Sequence, residues 1–417
     1  MNPNDLFAEA LPLRRPWMVA DSRLESKPGE PRRLHLVVAL EEGCRRLTCP
    51  ECDASDCPIH DRVERRWKHL NFWQYETILS ARVPRVKCDQ CGVHQVAVPW
   101  AREGSGFTLL FEAMAMLLSN HMSVAEASAT LGEHDTRIWR VVAHYVDKAR
   151  EACDWSGVRR VAVDEVSRKK GHVYATNFLD LDTGKLLFMA PGKDASTLAA
   201  FAGELARSGG SAAQIEELAM DMSKAFRKGA AEYFPEAKIS FDRFHVMMLA
   251  GEAVDAVRKE VALREGGLEK GAMWSLRGNL SRLSESAAEQ RRRLCRDYAE
   301  IGRAMGLREF LQDTWNYATR ELAEEHLGSW CSWASRCRLE PFKRLARTIR
   351  RHWEGILNYY RNWTTSAAIE SLHSKLQLAR SRARGFRNFD YFKTIAYWIA
   401  GGLTPGSGLP TPIPSAF

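Results

Sequence analysis

The composition is typical of a folded, water-soluble protein. The chain has 417 residues, of which 45% are hydrophobic and 27% charged. At roughly 100 to 200 residues per domain, this length predicts about two to four domains. No run reaches the roughly 18 apolar residues of a membrane span, and the N-terminus lacks the residue order of a secretory signal. We therefore expect a cytoplasmic protein without membrane association. The 60 Lys and Arg outnumber the 52 Asp and Glu, and the net charge of +8 favours a polyanionic partner.

The residue patterns divide the chain into segments of different type and predict a multidomain α+β protein. In chain order, the predicted segments are an extended or loosely packed N-terminal arm (1–33), a small β-rich module (34–105), a helix-turn-helix (106–152), a β/α core (153–245), a wholly helical stretch (246–364), a final helix with a basic segment (365–403) and an irregular tail (404–417).

Within the β-rich module, apolar residues at 34, 36 and 38 and β-rich runs over 76–79 and 81–87 predict three strands. The module also contains two Cys-x2-Cys pairs, the spacing of zinc knuckles: Cys49 with Cys52, and Cys88 with Cys91. Because 35 residues separate the pairs, strands must fold back to bring them together. We predict one structural Zn²⁺; the alternative is four unrelated buried cysteines. Whether further candidates also bind metal stays open: Cys44, Cys57 and His60.

Residues 109–150 follow a helical pattern that is interrupted at Gly132. Ser123 and Glu126 form a capping box that opens a short helix before that glycine, and a second helix follows it, which predicts a helix-turn-helix. Arg137 and Arg140 lie on the second helix, where cationic side chains can contact phosphates. The alternative is a helical linker with a solvated face.

The β/α core has the predicted order β-β-β-α-β-α-β-α, and two aspartates stand at notable positions in it. Asp164 interrupts an apolar strand, and Asp221 closes another where a helix begins. A carboxylate in a central strand is costly unless it is paired or bound to metal. Adjacent strands would put both carboxylates side by side, and a divalent cation would relieve their repulsion. Each aspartate alone could instead be a turn or cap residue.

A third acid, Glu370, stands near the start of the last predicted helix. A basic cluster follows it, and we predict that this cluster binds DNA: Lys375, Arg380, Arg382, Arg384 and Arg387. The alternative reading of this region is a capped helix with a solvated basic face.

The order of these elements and acids resembles the RNase H-like core of DDE transposases and retroviral integrases. The whole chain from residue 34 to about 400 resembles the ISL-three group of bacterial insertion-sequence transposases. Besides the four cysteines, the matching strings are Arg66-Trp67-Lys68-His69-Leu70, Val83-Pro84-Arg85-Val86-Lys87-Cys88, Val98-Pro99-Trp100-Ala101, Asp164-Glu165, Asp221-Met222-Ser223, Asp242-Arg243-Phe244-His245, Glu370-Ser371-Leu372-His373-Ser374-Lys375 and Gly385-Phe386-Arg387-Asn388-Phe389.

The resemblance implies a bacterial, nucleoid-associated DNA transposase that binds terminal inverted repeats and catalyses DNA cleavage and strand transfer. Asp164, Asp221 and Glu370 would be the DDE triad and would hold two Mg²⁺ per active site, with Mn²⁺ as an alternative. The 246–364 stretch would be an insertion in the RNase H-like core. Four further residues are candidate supporting groups: Glu165, Asp242, His245 and His373. The expected partners are transposon-end and target DNA, bound by a homodimer or a higher oligomer.

Two other functions remain open from the sequence. One is a DNA-binding regulator that keeps the zinc module and helix-turn-helix but has an inactive transposase core. The other is a metal-dependent nuclease that cuts DNA without joining it. The presence of all three acids argues against the first, and an assay with end DNA and a plasmid target separates all three functions.

Overall fold

A computed structural model of the protein describes residues 3–11, 13–29, 31–169, 173–278, 283–363 and 367–410. The chain divides into two compact units. The first comprises Met1–Ala149, Arg382–Gly385 and Thr404–Phe417; the second comprises Arg150–Ser381 and Phe386–Leu403. Among the described residues of both units, no helix is both long and apolar enough to cross a membrane.

The first unit contains a mixed β-sheet and a hydrophobic core of its own. A helix, α1 (Pro3–Ala10), precedes the sheet. The strands are β1 (Trp17–Glu25), β2 (Arg33–Leu40), β3 (Arg46–Leu47), β4 (Cys57–Lys68), β5 (Glu76–Cys88) and β6 (Gly92–Gln95). They are arranged in the order β1-β2-β5-β4-β3, and β6 pairs with β5. This β-rich N-terminal region confirms the predicted class of the module.

The predicted extended arm over residues 1–33 is wrong. Its second half is β1, which pairs antiparallel with β2 over its whole length and buries Trp17 and Val19. A register shift between Val19 and Asp21 interrupts the alternation of buried and exposed residues. The strand therefore lacks a clear local pattern, and its stability comes from pairing with a distant segment.

A long hairpin formed by β4 and β5 accounts for the spacing of the cysteine pairs. The two runs predicted over 76–79 and 81–87 are one continuous strand, β5. Its partner β4 is highly charged and has no apolar run, so the sequence pattern did not reveal it. The strands pair from Ile59 opposite Val86 to Lys68 opposite Ile78. This hairpin provides the predicted return of the chain between the two Cys-x2-Cys pairs.

Three helices complete the first unit: α2 (Leu109–His121), α3 (Val124–Leu131) and α4 (Asp135–Glu151). The predicted capping box at the start of α3 is confirmed, because Ser123 accepts from the Glu126 backbone while Glu126 bonds back to Ser123. Gly132 ends α3 with φ 61°, a left-handed conformation that glycine adopts easily.

A buried carboxylate connects α2 to α4. Glu112 has no exposed side-chain surface, and its two oxygens each lie 3.0 Å from Arg102 Nε. Ser105 Oγ donates to Glu112 at 2.6 Å, and the hydroxyl of Tyr145 in α4 donates to it at 2.7 Å. These bonds compensate the loss of hydration, so the charge fixes the orientation of the two helices.

The second unit is built on a sheet of order β11-β10-β7-β8-β9. Its strands are β7 (Arg160–Lys169), β8 (Val173–Asp180), β9 (Leu186–Pro191), β10 (Glu217–Met220) and β11 (Lys238–Phe241). β7, β8 and β9 are antiparallel neighbours, whereas β10 is parallel to both β7 and β11. Helix α5 (Ala195–Arg207) follows β9, and α6 (Lys224–Tyr233) follows β10. The predicted β/α order is confirmed; the predicted first residue of β8, residue 172, lies outside the described residues.

From residue 243 the described chain is helical. The helices are α7 (Arg243–Arg264), α8 (Ala272–Arg277), α9 (Glu285–Asp297), α10 (Ala299–Asp313), α11 (Arg320–Arg336), α12 (Glu340–Arg351), α13 (Trp353–Leu357), α14 (Tyr359–Asn362), α15 (Ala367–Arg382) and α16 (Phe389–Ala400). The sheet and α7–α14 share one hydrophobic core, in which Phe178, Phe201, Trp330 and Phe342 are fully buried. The predicted segment boundary at 364–366 lies outside the described residues.

We predict that Glu112→Gln destabilises the first unit by about 3–5 kcal/mol, because it leaves the Arg102 guanidinium without its counter-charge. Native-state hydrogen exchange of the α2 amides measures this loss. The control Glu151→Gln, at an exposed position of α4, is expected to change stability by no more than about 0.5 kcal/mol. Equal protection of α2 in both variants would show that the buried charge is not needed.

Candidate functional site

The four predicted zinc ligands come together in the first unit. The sulfur atoms of Cys49, Cys52, Cys88 and Cys91 all lie within 4.8 Å of one another. Cys52 Sγ and Cys88 Sγ are 3.6 Å apart, close to the roughly 3.8 Å edge of a tetrahedron with Zn–S bonds of about 2.3 Å. The donor set and its dimensions therefore fit a structural Zn²⁺.

Backbone amides prepare Cys88 for metal binding. The N–H groups of Cys91 and Gln90 donate to its sulfur and lower the pKa of Cys88 to about 6. The turn that provides these amides joins β5 to β6 and is the predicted knuckle. Because zinc binds thiolate rather than thiol, this environment favours the binding form near neutral pH.

The other candidate zinc ligands do not belong to the four-sulfur set, although Cys57 interacts with Cys88. Cys57 is buried, and its thiol donates to the Ala54 carbonyl at 3.4 Å. Cys44 Sγ lies 3.8 Å from the Arg46 carbonyl, and His60 is exposed. Among the described residues, the four cysteines are the one group of three or more His, Cys, Asp or Glu side chains whose ligand atoms all lie within 4.8 Å of one another.

Strand pairing in the second unit aligns three aspartates at one end of the sheet. In the parallel pair of β10 and β7, Ala219 is opposite Ala162, so the register continues to Asp221 beside Asp164. In the parallel pair of β10 and β11, Met220 is opposite Phe241, so Asp221 is also beside Asp242. Neighbouring strands lie about 4.8 Å apart. Continued past these pairs, the register places Asp221, which follows β10, beside Asp164 of β7, and Asp242, which follows β11, extends the row.

Helix α15 lies along β7 in the same direction. His373 Nε2 is 2.9 Å from Asp164 Oδ2, and Arg380 Nη1 donates to the Ser167 carbonyl at 2.7 Å. From His373 to Arg380 the helix advances seven residues, or about 10.5 Å, and from Asp164 to Ser167 the strand advances three residues, or about 10 Å. The two contacts therefore have the same spacing on the helix and on the strand. Glu370 is one helical turn before His373, in the first turn of α15, and its side chain is exposed.

The histidines and carboxylates of this region influence one another. The Asp164 carboxylate raises the pKa of His373 against the opposing effect of burial, and Glu370 acts in the same direction. His245 Nε2 lies 3.9 Å from Asp164 Oδ1. Burial raises the pKa of Glu165, and the Asp221 and Asp164 carboxylates raise it further. The Lys193 ammonium acts in the opposite direction.

Asp242 has two roles in this part of the structure. It is the N-cap of α7, where its side chain accepts from the Phe244 N–H at 2.9 Å. Burial raises the pKa of Asp242, and the nearby Asp164 carboxylate adds to this effect. Within the described residues, the carboxylate oxygens of Asp164, Asp221 and Glu370 do not all come within 4.8 Å of one another.

Asn177 is a site residue that the sequence analysis missed. It lies on β8 directly opposite Asp164, so both side chains are on the same face of the sheet. Its side chain is 1% exposed, and neither amide atom has a hydrogen-bond partner among the described residues. A buried amide of this kind suits a site that holds a hydrated cation. The feature of the sequence that could have identified Asn177 is a polar residue within the apolar run of β8.

The two predicted DNA-binding arginines of α4 have different environments. Arg137 Nη1 lies 2.6 Å from Glu133 Oε2, and its guanidinium stacks over the Phe107 ring at 4.2 Å. Arg140 is exposed to solvent. Arg140 is therefore the better candidate for a direct phosphate contact, whereas Arg137 is part-exposed and already paired with Glu133.

The basic cluster near the C-terminus is mostly exposed. Lys375 and Arg387 belong to the second unit and are exposed, whereas Arg380 bonds to β7 as described above. Arg382 and Arg384 group with the first unit, where Arg382 Nη1 donates to the Asn120 carbonyl at 3.0 Å. The cluster is therefore divided between the two units.

Three family models match the chain. Residues 161–396 match a model described as a transposase. Residues 96–146 match the helix-turn-helix domain of transposase family ISL3, and residues 45–91 match the zinc-finger of transposases IS204, IS1001, IS1096 and IS1165. Because the transposase match covers more than half of the chain, the protein belongs to transposase family ISL3. This is the ISL-three group that the sequence motifs indicated. The zinc-finger match and the cysteine cluster together support a structural Zn²⁺.

Curated relatives agree with this assignment. The transposase for insertion sequence element IS1557 of Mycobacterium tuberculosis is 30% identical over 375 residues, which cover 82% of each chain. The transposase for insertion sequence element IS1001 of Bordetella parapertussis is 27% identical over 380 residues, which cover 88% of this chain and 91% of the relative. These similarities and the helix-turn-helix match support a DNA-binding, DNA-modifying enzyme.

We predict that the purified protein contains about one zinc per chain and that Cys88→Ser loses it. Chelation is expected to unfold the β-rich module, because structural zinc supplies much of the folding free energy of a small module, while the second unit keeps its own core. Metal analysis and hydrogen exchange measure both effects. The control Cys44→Ser is expected to retain the metal, and a Cys88→Ser variant with full zinc content would contradict the assignment.

Proposed function

We propose that this protein is a DNA transposase that binds terminal inverted repeats and carries out metal-dependent DNA cleavage and strand transfer. Asp164, Asp221 and Glu370 form its catalytic triad. The observation that carries the proposal is the parallel register of β7 and β10, which aligns two of these acids at one end of the sheet. The 2.9 Å approach of His373 to Asp164 brings the first turn of α15, with Glu370, toward the same end.

The fold of the catalytic core supports the same function. Its sheet order, with three antiparallel strands followed by two parallel ones, supports the RNase H-like core that the resemblance implies. The helical stretch over 246–364, which includes most of α7 and the helices α8 to α14, is then the insertion that separates Asp242 from Glu370 in sequence. Asn358 Nδ2 donates to the Ile239 carbonyl at 2.9 Å, so the end of this helical stretch is attached to β11.

The residues at the end of the sheet fit a pair of divalent cations. Oxygen donors are the ligands that Mg²⁺ prefers, with Mn²⁺ as an alternative, and the amide of Asn177 lies opposite Asp164. Asp164, Asp221 and Glu370 would hold the two ions. When bound, the ions supply activation of the attacking oxygen and stabilisation of the leaving oxygen.

The reaction consists of two transfers at phosphorus. In the first, the oxygen of water attacks the phosphate at the transposon end and the bond to the 3′ oxygen breaks, which frees a 3′ hydroxyl. In the second, that hydroxyl attacks a phosphate of the target DNA, and the bond between this phosphorus and the target's own 3′ oxygen breaks, which leaves a 3′ hydroxyl on the target strand. His373 and His245 orient the Asp164 carboxylate. Glu165 and Asp242 support the site from neighbouring positions.

DNA recognition belongs to the β-rich module, the helix-turn-helix and the basic cluster. Arg140 contacts phosphates from α4, with Arg137 supporting that helix, and Lys375, Arg382, Arg384 and Arg387 bind the backbone of end or target DNA. Since two ends must be joined to one target, the working form is a homodimer or a higher oligomer on DNA.

We predict that Asp164→Asn, Asp221→Asn and Glu370→Gln each reduce cleavage and joining by about 10³-fold while sparing DNA binding, because each removes one metal ligand. Double variants are expected to lose little more, since the three acids act as one unit. The measurement uses labelled end DNA with a plasmid target, and the exposed Glu232→Gln is the matched control.

The same assay separates the other functions. Cut but unjoined DNA from the wild type would indicate a nuclease, and binding without cutting would indicate a regulator. An active Glu370→Gln variant would show that another late acid completes the site.

We also predict that Arg140→Ala weakens binding to the ends and reduces the slope of log affinity against log salt by about 0.9, the value expected for one lost phosphate contact. Titrations over a salt series measure the slope. Lys27→Ala, an exposed substitution between β1 and β2, is the control. An unchanged slope in Arg140→Ala would place α4 away from the phosphates.

A further inference from the structure

A buried lysine at the end of β4 contacts the turn of the helix-turn-helix. The side chain of Lys68 is 7% exposed. Its ammonium group donates to the carbonyls of Gly132 at 2.8 Å and Leu131 at 3.2 Å. It also lies 3.2 Å from a carboxylate oxygen of Glu76 in β5 and 3.2 Å from one of Glu133 in the turn. One cation therefore joins the long hairpin to the end of α3 and the turn before α4.

These contacts form a site built for a single positive charge. An ammonium group has three hydrogens to donate, and its burial is costly unless acceptors and counter-charges surround it. Here two carbonyls and two carboxylates do so. A neutral side chain at position 68 would leave the carbonyls at the end of α3 without this donor, and Glu133 and Glu76 would keep only their pairs with Arg137 and Arg33.

The network continues from Lys68 to α4. The second carboxylate oxygen of Glu133 pairs with Arg137 Nη1 at 2.6 Å, and Arg137 stacks over Phe107. The backbone of Lys68 is bonded as well: its N–H donates to the Gly106 carbonyl at 3.0 Å, and its carbonyl accepts from Thr108, the N-cap of α2. Position 68 thus connects the hairpin to the start of α2 and to the turn between α3 and α4.

Basic side chains are exposed on both sides of this connection. Arg62 on β4 and Arg82 and Lys87 on β5 are exposed on the β-rich module, and Arg140 is exposed on α4. A DNA duplex that contacts both groups is bound most tightly when their relative orientation is already fixed, because binding then costs less ordering. Lys68 itself is too buried to touch DNA.

We propose that Lys68 is a positioning residue that locks the helix-turn-helix onto the β-rich module, so that the two present one preformed surface to the transposon end. This inference rests on the proposed function for the identity of the DNA. The positioning of α4 by Lys68 is a property of the free protein and is measured separately.

The experiment compares the full-length wild type with Lys68→Met, Glu133→Gln and the control Lys27→Met. Binding is titrated over a salt series with a duplex that carries the inverted repeat flanking the gene and with a shuffled duplex of equal length. We expect Lys68→Met to bind the repeat about tenfold or more weakly and the shuffled duplex almost normally, with an unchanged salt slope. Glu133→Gln, which perturbs the fold less, is expected to shift binding in the same direction, and Lys27→Met to behave as the wild type.

Hydrogen exchange without DNA gives the second readout. Lys68→Met is expected to speed exchange in residues 131–140 while zinc content and protection of the hairpin stay normal. Unchanged exchange there would overturn the proposal, as would wild-type selectivity for the repeat in both Lys68→Met and Glu133→Gln. A salt slope reduced by about 0.9 would also overturn it, because Lys68 would then contact a phosphate. A wild type without selectivity would count against end recognition itself, and the exchange data would still decide the role of Lys68.

Discussion

The candidate active site depends on the parallel pairing of β7, β10 and β11. Parallel strands end at the same edge of a sheet, so residues that follow equivalent register positions become neighbours. This register brings Asp164, Asp221 and Asp242 into one row, although 57 and 21 positions separate them along the chain. Carboxylates in such a row repel one another unless cations lie near them. His373 and His245 approach Asp164, and burial raises the pKa of Asp242, with the Asp164 carboxylate adding to this effect.

The N-terminal unit uses buried charges to set the orientation of its parts. Glu112 is bonded to Arg102, Ser105 and Tyr145, and Lys68 is bonded to the turn before α4. Replacing such groups by apolar residues often costs little stability when the whole network is removed together, whereas removing one partner is expensive. In this unit the buried charges fix the relative orientation of the elements that they join, because hydrogen bonds to a buried charge allow far fewer geometries than apolar contacts do. A DNA-binding surface assembled from a sheet and a helix-turn-helix needs that restriction.

Features determined by short stretches of sequence were predicted well. The Cys-x2-Cys spacing identified the four sulfur ligands, and the Ser123 to Glu126 spacing identified the start of α3. The alternation of apolar runs and helical periods predicted the β/α order of the second unit, because each strand there is buried and bounded by turns. Strands β1 and β4 were not predicted, since their polar residues give no local pattern and their formation depends on pairing with β2 and β5.

The sequence by itself therefore determined the four clustered cysteines, the capped helices, the order of the core elements and the candidate acids, because each depends on residues that are close along the chain. Only the tertiary structure decided which groups meet. Asn177 is part of the candidate site because β8 pairs with β7. Arg137 pairs with Glu133 and stacks over Phe107. Lys68 is buried against a turn more than sixty residues away along the chain. Such contacts depend on strand register and on the packing of distant segments, which local spacing does not encode.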